Sequence, residues 1–282
     1  MTAQPSLQAA GPPETDTDTD SATARETAAA ALLADVLGRW GRRVAVGTAF
    51  QDEGMVLLDL AVRLEPRVRV FTIDTGRLPA ETHRFIDRIR DRYRLEVEVF
   101  LPDPADVEPL VRRFGPEVFR RSVEHRLACC RARKVEPMGR VLSTLDAWVA
   151  GLRREQAPSR AEVPEIGPDP VHPGVVKVCP LAGWRAADVA AYLERYDVPR
   201  HPLYSRGYAS IGCEPCTRPT PPGADPRAGR WWWEDGQPKE CGLHWGPPEA
   251  VNERPEEPAR SEPPWTDRRV NPPTPSRVPP NG

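Results

Sequence analysis

Six cysteines in 282 residues hold most of the reactive chemistry this sequence offers, and their spacing divides them unequally. Cys241 stands by itself in Lys239-Glu240-Cys241-Gly242-Leu243-His244. Lys239 and His244 favour a thiolate over a thiol, and Gly242 leaves the sulfur open, so the hexapeptide suits a nucleophile. A cysteine in a loop is often inert, and the argument for reactivity is that the others fall into groups. Cys129 and Cys130 are adjacent, and Cys213-Glu214-Pro215-Cys216 forms a C-x-x-C, which leaves Cys241 without a partner. Cys179, beside Pro180 and Leu181, reads as a buried and chemically silent thiol.

Four sulfurs in a C-C … C-x-x-C arrangement admit a zinc site, a redox disulfide pair or an iron–sulfur cluster. Zinc prefers two knuckles of spacing C-x2–4-C, because both sulfurs of a knuckle must reach one ion, and adjacent cysteines fit that poorly. A cubane cluster offers each thiolate a different iron, so neighbours whose side chains diverge can both ligate it. The C-x-x-C follows Ile211-Gly212 and does not open the first helix of a βαβ unit, as a thioredoxin-like pair would. Spacing favours the cluster and leaves zinc open. A second chemical feature is the loop after Gly151, where Arg153, Arg154 and Arg160 fall within eight residues. At the mouth of a parallel sheet such a loop suits phosphate or sulfate; elsewhere it is a solvated face.

The elements that must position these groups alternate. Thr27–Trp40 reads as a helix, Val44–Thr48 as a buried strand, Met55–Leu64 as a helix, Val68–Ile73 as a strand and Pro79–Tyr93 as a helix. Leu95–Leu101 is a third strand, and Asp146–Gly151 a later one after the helix with the paired cysteines. Val163–Ile166 and Val175–Val178 read as a short ribbon, and Arg185–Tyr196 as an amphipathic helix with Val189, Tyr192, Leu193 and Tyr196 inward. This alternation predicts an α/β fold, a parallel sheet with helices on both faces, whose ligands sit at the carboxyl ends of the strands. The turns after Thr48, Ile73 and Gly151 all fall there. No GxGxxG and no Walker A sequence is present.

The ends differ from the middle. Residues 1–26 are rich in Thr, Asp, Ala and Pro, and residues 247–282 carry 11 of the 35 prolines, so both are expected to be disordered extensions. The central residues, 27–246, hold 30 acids against 33 bases. That mild balance suits a small anion held by a local cluster better than a nucleic acid, which needs a broad basic face. No signal peptide and no run of membrane-spanning length is evident, which predicts a cytoplasmic protein without membrane contact. Thiols stay reduced in that compartment, so the cysteines point to metal binding or catalysis.

Five motifs taken together resemble one family. Cys129-Cys130-Arg131-Ala132-Arg133-Lys134-Val135-Glu136-Pro137, Gly151-Leu152-Arg153-Arg154-Glu155-Gln156, Ile211-Gly212-Cys213-Glu214-Pro215-Cys216-Thr217-Arg218-Pro219, Gly229-Arg230-Trp231-Trp232-Trp233-Glu234 and the Cys241 hexapeptide read, in that order, as motifs of the assimilatory adenylyl-sulfate (APS) reductases. The likeness runs from about Thr27 to Gly246. It implies a Rossmann-like fold of the adenine nucleotide α-hydrolase type, with a [4Fe-4S] cluster on Cys129, Cys130, Cys213 and Cys216. It also implies a mobile C-terminal segment, about 220–246, carrying Cys241 as the nucleophile that takes the sulfur of adenylyl sulfate, with thioredoxin as reductant. The place of a glycine-rich pyrophosphate loop is taken by Val46–Gly54, where Thr48, Ala49 and Phe50 replace a Ser-Gly-Gly run, which argues against ATP pyrophosphatase chemistry. Cys179 stands where relatives commonly have Asn, Arg126 where they commonly have His, and the loop Ala157–Arg160 is one residue short.

On this reading Lys134, Arg227, Arg230 and His244 surround the phosphosulfate, with Arg153 and Arg160 as further members of the anion pocket. Thr48, Ile73 and Thr75 at strand ends, with Gly151, hold adenine and ribose. Homo-oligomerisation stays open. The rival readings are a reductase of the 3′-phosphorylated nucleotide (PAPS), whose relatives generally lack the four cluster cysteines, a non-catalytic iron–sulfur nucleotide sensor, and a zinc-stabilised binding module.

Overall fold

Strand residues alternate between the two faces of a sheet, and in this chain both sets are apolar. In a computed structural model that describes residues 16–234 and 239, Val44 and Val46 of β1 (Val44–Gly47) enter one core cluster while Ala45 enters another. The same division separates Val70 from Phe71 in β2 (Arg69–Ile73). Ala147 and Val149 part likewise from Trp148 and Ala150 in β4 (Ala147–Ala150). Such strands need cover on both sides. The first core is completed by apolar residues of α1 (Asp16–Trp40), α2 (Asp52–Leu64), α3 (Ala80–Tyr93) and α7 (Ala186–Arg195). On the other face α6 (Glu136–Leu142) contributes Met138, Val141 and Leu142.

The sheet has six strands in the order β3-β2-β1-β4-β6-β5, with β3 at Val97–Phe100, β5 at Ile166–Pro168 and β6 at Val176–Val178. Every pairing is parallel except that of the edge strand β5, which runs antiparallel to β6 with Ile166 opposite Val178. From β1 the chain moves outward to β2 and β3 on one side and then returns to β4 on the other. The strand order therefore reverses between β1 and β4, and a crevice opens beyond the carboxyl ends of these two strands.

Three elements differ from expectation. Strand β5 begins at Ile166, because Val163 donates its backbone N–H to Arg160 and turns into the second core, leaving the ladder to start later. Helix α1 begins at Asp16, eleven residues ahead of Thr27, and so takes in part of the stretch expected to be disordered. Its later turns are tied to α7 by Arg25 donating to Asp188 (2.8 Å) and by the Tyr196 hydroxyl donating to Glu26 (2.6 Å). Helix α4 (Pro104–Phe114) was not anticipated, although Asp103 caps it by accepting from Ala105 N–H and Val107, Leu110, Val111 and Phe114 form a half-buried stripe at helical spacing; Pro109 interrupts that pattern in the sequence. Residues 1–15, the tail 247–282, Cys241 and His244 lie outside the described residues. Among the described residues no helix is long and apolar enough to cross a membrane.

The paired cysteines end α5 (Val123–Cys130), which passes through a π-helical turn, Arg131–Val135, directly into α6. Pro137 supplies the cause. It has no N–H for the carbonyl of Arg133 and its ring would strike that carbonyl, so the helix widens by one residue ahead of it.

Candidate active site

A cleft of about 750 Å³ lies at the crevice between β1 and β4. All nine described residues expected to contact substrate line it, namely Thr48, Ile73, Thr75, Lys134, Gly151, Arg153, Arg160, Arg227 and Arg230. Gly151 brings the end of β4 against the start of α2, where a Cβ would stand only 3.0 Å from Cβ of Glu53. The Thr48 hydroxyl accepts the backbone N–H of Phe50 (2.9 Å), whose φ of +54° keeps the left-handed turn that a glycine would favour in this loop.

The charges of the cleft are not equivalent. Arg153 is 8% exposed and donates to Glu53 (2.9 Å) and Glu155 (2.8 Å), so much of its charge is already balanced within the wall. Arg200 is likewise paired with Asp52. Arg230 differs from both. It is 5% exposed, its Nε is buried without a hydrogen-bond partner among the described residues, and its guanidinium donates to Ser210 Oγ only at 3.4 Å. Its guanidinium occupies the space that a Cβ on Gly212 would need, so residue 212 must be glycine for Arg230 to lie there. Lys134, Arg160 and Arg227 add positive charge to the same cleft. Such a site suits a compact polyanion held away from water.

The four grouped cysteines meet at one edge of this cleft. Cys129, Cys130 and Cys216 are buried in a cluster with Val118, Phe119 and Trp231, and Cys213 packs against it. Burial pushes the Cys216 thiol up to about 12, and repulsion from Cys213 and Cys129 adds to the rise, while Lys134 and Arg230 oppose it. Burial also raises the Cys129 thiol, with Arg133 working against it and Cys213 with it. None of the five described cysteines is in a disulfide, and among the described residues no three His, Cys, Asp or Glu side chains converge as a single ion would require. Four cysteine sulfurs, three of them buried, with cations at their border offer the donor atoms that an iron–sulfur cluster takes as thiolates.

Cleft and cysteines share a joint in the turn after β2. The Cys213 thiol donates to the Thr75 hydroxyl at 3.2 Å, Arg133 donates to the Thr75 carbonyl at 2.8 Å, and Glu214 N–H donates to the Arg77 carbonyl at 2.8 Å. Gly76 turns the chain there with φ +68°, a conformation glycine adopts without steric cost. Thr75 thus reaches the cysteines with its side chain while lining the cleft.

Sequence reasoning missed several residues of the wall. Tyr204 accepts the Asp52 N–H (3.2 Å) and Gln51 accepts the Ile211 N–H (2.9 Å), which stitch the start of α2 to the loop before Cys213. Behind that loop His201 is 1% exposed; its Nδ1 accepts from Leu203 N–H, so Nε2 carries the proton toward Thr82 at 3.0 Å, and burial lowers its pKa to about 4. Only Arg200, a cation beside Pro199 in the loop after α7, carried a signal that could have been read. Cys179 is 1% exposed and burial pushes its thiol up to about 11, as befits a silent core residue.

Residues 43–219 match the phosphoadenosine phosphosulfate reductase domain. The adenosine 5′-phosphosulfate reductase of Burkholderia cepacia is 48% identical over 214 residues, covering 76% of this chain and 85% of that protein. That of Allochromatium vinosum is 44% identical over 226 residues, covering 80% and 88%. Among solved structures, a phosphoadenylyl-sulfate reductase from Candida auris, crystallised with phosphate, superposes with a TM-score of 0.56 at 24% identity, over 71% of this chain and 97% of that one. At that identity the likeness is one of fold.

Proposed function

The chain belongs to the phosphoadenosine phosphosulfate reductase family and, within it, to the adenosine 5′-phosphosulfate reductases, and from that premise we propose how its residues reduce adenylyl sulfate in sulfate assimilation. The sulfate end of the nucleotide lies against Lys134, Arg160, Arg227 and Arg230, and the adenosine against Thr48, Ile73 and Gly151. Cys241 thiolate attacks the sulfonyl sulfur, forming an S–S bond as the S–O bond to the phosphate breaks and AMP leaves with the electron pair. The cations stabilise charge growing on AMP. A thiolate of a thioredoxin-type dithiol protein then attacks Cys241 Sγ, and sulfite departs with the electrons of the broken S–S bond. The reductant's second thiol resolves the mixed disulfide and returns Cys241 as a thiolate.

Cys129, Cys130, Cys213 and Cys216 would hold a [4Fe-4S] cluster, which when bound supplies an electrostatic and structural centre beside the anion pocket and passes no electrons. The observation that carries this reading is that Thr75 lines the cleft and also receives the Cys213 thiol at 3.2 Å, which joins the grouped cysteines to the anion pocket. A second observation concerns the nucleophile. Arg227 Nε, on the cleft wall, donates to the Lys239 carbonyl at 3.0 Å. Two extended residues span about 7 Å, which bounds the distance from Lys239 to Cys241.

The test is sulfite release from adenylyl sulfate and from its 3′-phosphorylated form, side by side with thioredoxin supplied. The expected result is a kcat/KM at least about tenfold higher for adenylyl sulfate, since the described chain offers four grouped cysteines that PAPS-type relatives generally lack; equal or reversed preference would refute it. The anion clamp has its own test. Gly212→Ala should push Arg230 out of place and raise KM for adenylyl sulfate by roughly 10- to 100-fold, the loss of one charge-assisted contact, with the fold intact because a flexible side chain gives way. Steady-state kinetics with a melting curve would check it.

A further inference from the structure

Arg126 lies one turn ahead of Cys129 and Cys130 on α5, and its Nε donates to Glu234 Oε1 at 2.9 Å across 108 residues of chain. The two side chains are 2% and 4% exposed. The Arg126 guanidinium also lies 4.4 Å from the centroid of the Trp231 ring. Trp231 in turn donates its backbone N–H to the Cys216 carbonyl (3.2 Å) and accepts that of Glu234 (2.9 Å). It holds a φ of +40°, a left-handed conformation that a bulky side chain adopts only when its surroundings compel it. Backbone and side chains thus knot the turn Arg230–Glu234 to both cysteine pairs. Neither Arg126 nor Glu234 lines the cleft.

A buried ion pair contributes little net stability, because stripping water from both charges offsets their attraction, and apolar residues of equal volume serve as well. What the pair adds over an apolar contact is a single register and orientation. Register matters at this point of the chain, for Glu234 stands seven residues before Cys241. We propose that the Arg126–Glu234 pair is a positioning device for the nucleophile, fixing the root of the segment that carries Cys241 onto the helix that carries Cys129 and Cys130. A chain of seven residues can reach roughly 25 Å, so a fixed root confines the thiol to the neighbourhood of the cleft and raises its effective concentration at the substrate. The proposal rests on the reading of Cys241 as the attacking group. It assigns the pair to the rate of attack and leaves nucleotide binding to the cleft.

The test uses the full-length protein with its iron. Glu234→Gln removes the charge at nearly constant shape. Should the Arg126 charge left behind unfold that variant, the double substitution Arg126→Met with Glu234→Leu removes both charges together. In the folded variant kcat should fall tenfold or more, KM for adenylyl sulfate should stay within threefold of wild type, and iron content and visible absorbance should be unchanged. Tryptic cleavage after Lys239 should quicken in the same variant. A kcat within twofold of wild type would overturn the proposal, as would a loss of kcat that merely tracked lost iron and a lowered Tm. Cys241→Ser run alongside separates the two claims: activity in that variant sinks the nucleophile reading, whereas an inactive Cys241→Ser beside fully active pair variants sinks only the positioning role.

Discussion

Cys241→Ser should abolish sulfite release, by about a thousandfold or more, while leaving iron content, visible absorbance and AMP affinity as they are in the wild type. Two effects combine. A cysteine near neutral pH is already a few per cent thiolate and intrinsically nucleophilic, and Lys239 and His244 favour more of it, whereas a serine hydroxyl without a base stays protonated. The second effect is one of electron count. Even if the serine oxygen captured the sulfonyl group, the product would be a sulfate ester with no S–S bond, and a dithiol could not draw sulfite from it. Cys241 is also not among the grouped cysteines, so the cysteine cluster and the cleft should be untouched. Sulfite assay, iron determination and AMP titration on the same preparation decide the matter, and turnover by the variant would exclude Cys241 as the attacking group.

Replacing Cys216 with serine should have the second largest effect, with loss of most of the iron and of the broad visible absorbance, and a fall in kcat/KM of about a hundredfold or more. Cys216 is buried with Phe119 and Trp231, and its carbonyl receives the Trp231 N–H, so the residue joins the cysteine cluster to the turn that leads toward Cys241. A serine oxygen is a harder, shorter and more basic donor than a thiolate and is a poor substitute in an all-sulfur set. Cys179→Ser is the matched control. That thiol lies in the core on the far side of β4, packed with Val163, Val175 and Ala182, so its loss should lower stability by about 1–2 kcal/mol and leave iron and activity alone. Wild-type protein purified anaerobically and found colourless would exclude the iron–sulfur assignment for all four cysteines and favour zinc, which has no visible band.

The alternation of strands and helices was legible because its signal is local. Val44–Gly47, Arg69–Ile73 and Ala147–Ala150 are continuous apolar runs of strand length, bounded by polar turns, and a parallel sheet covered on both faces follows from them. The lining of the cleft was legible in part for the same reason, since strand ends in such a sheet converge on one crevice wherever the intervening chain goes. Thr48, Ile73 and Gly151 needed no more than that to be placed. Boundaries were less secure. Helix α4 has a capping Asp103, Pro104 at its start and a half-buried stripe of Val107, Leu110, Val111 and Phe114, but Pro109 within it reads as a helix breaker, and α1 reaches back to Asp16 through acidic residues whose value lies at a helix N-terminus and not in any apolar period.

What the chain alone determined, then, was the inventory: which residues can carry a negative sulfur, which can hold an anion, and the order in which strands deliver them. Residue type and spacing specify intrinsic chemistry, and both survive unfolding. Tertiary structure decided which charges are engaged with one another. Arg153 and Arg230 look alike in sequence, yet one is balanced by Glu53 and Glu155 while the other fills the hollow left by Gly212. Arg126 and Glu234 have nothing to identify them as partners until the chain brings them to 2.9 Å in a space almost closed to water. The strength of a charge depends on its neighbours and on the solvent around it, and neither exists as a property of the unfolded string.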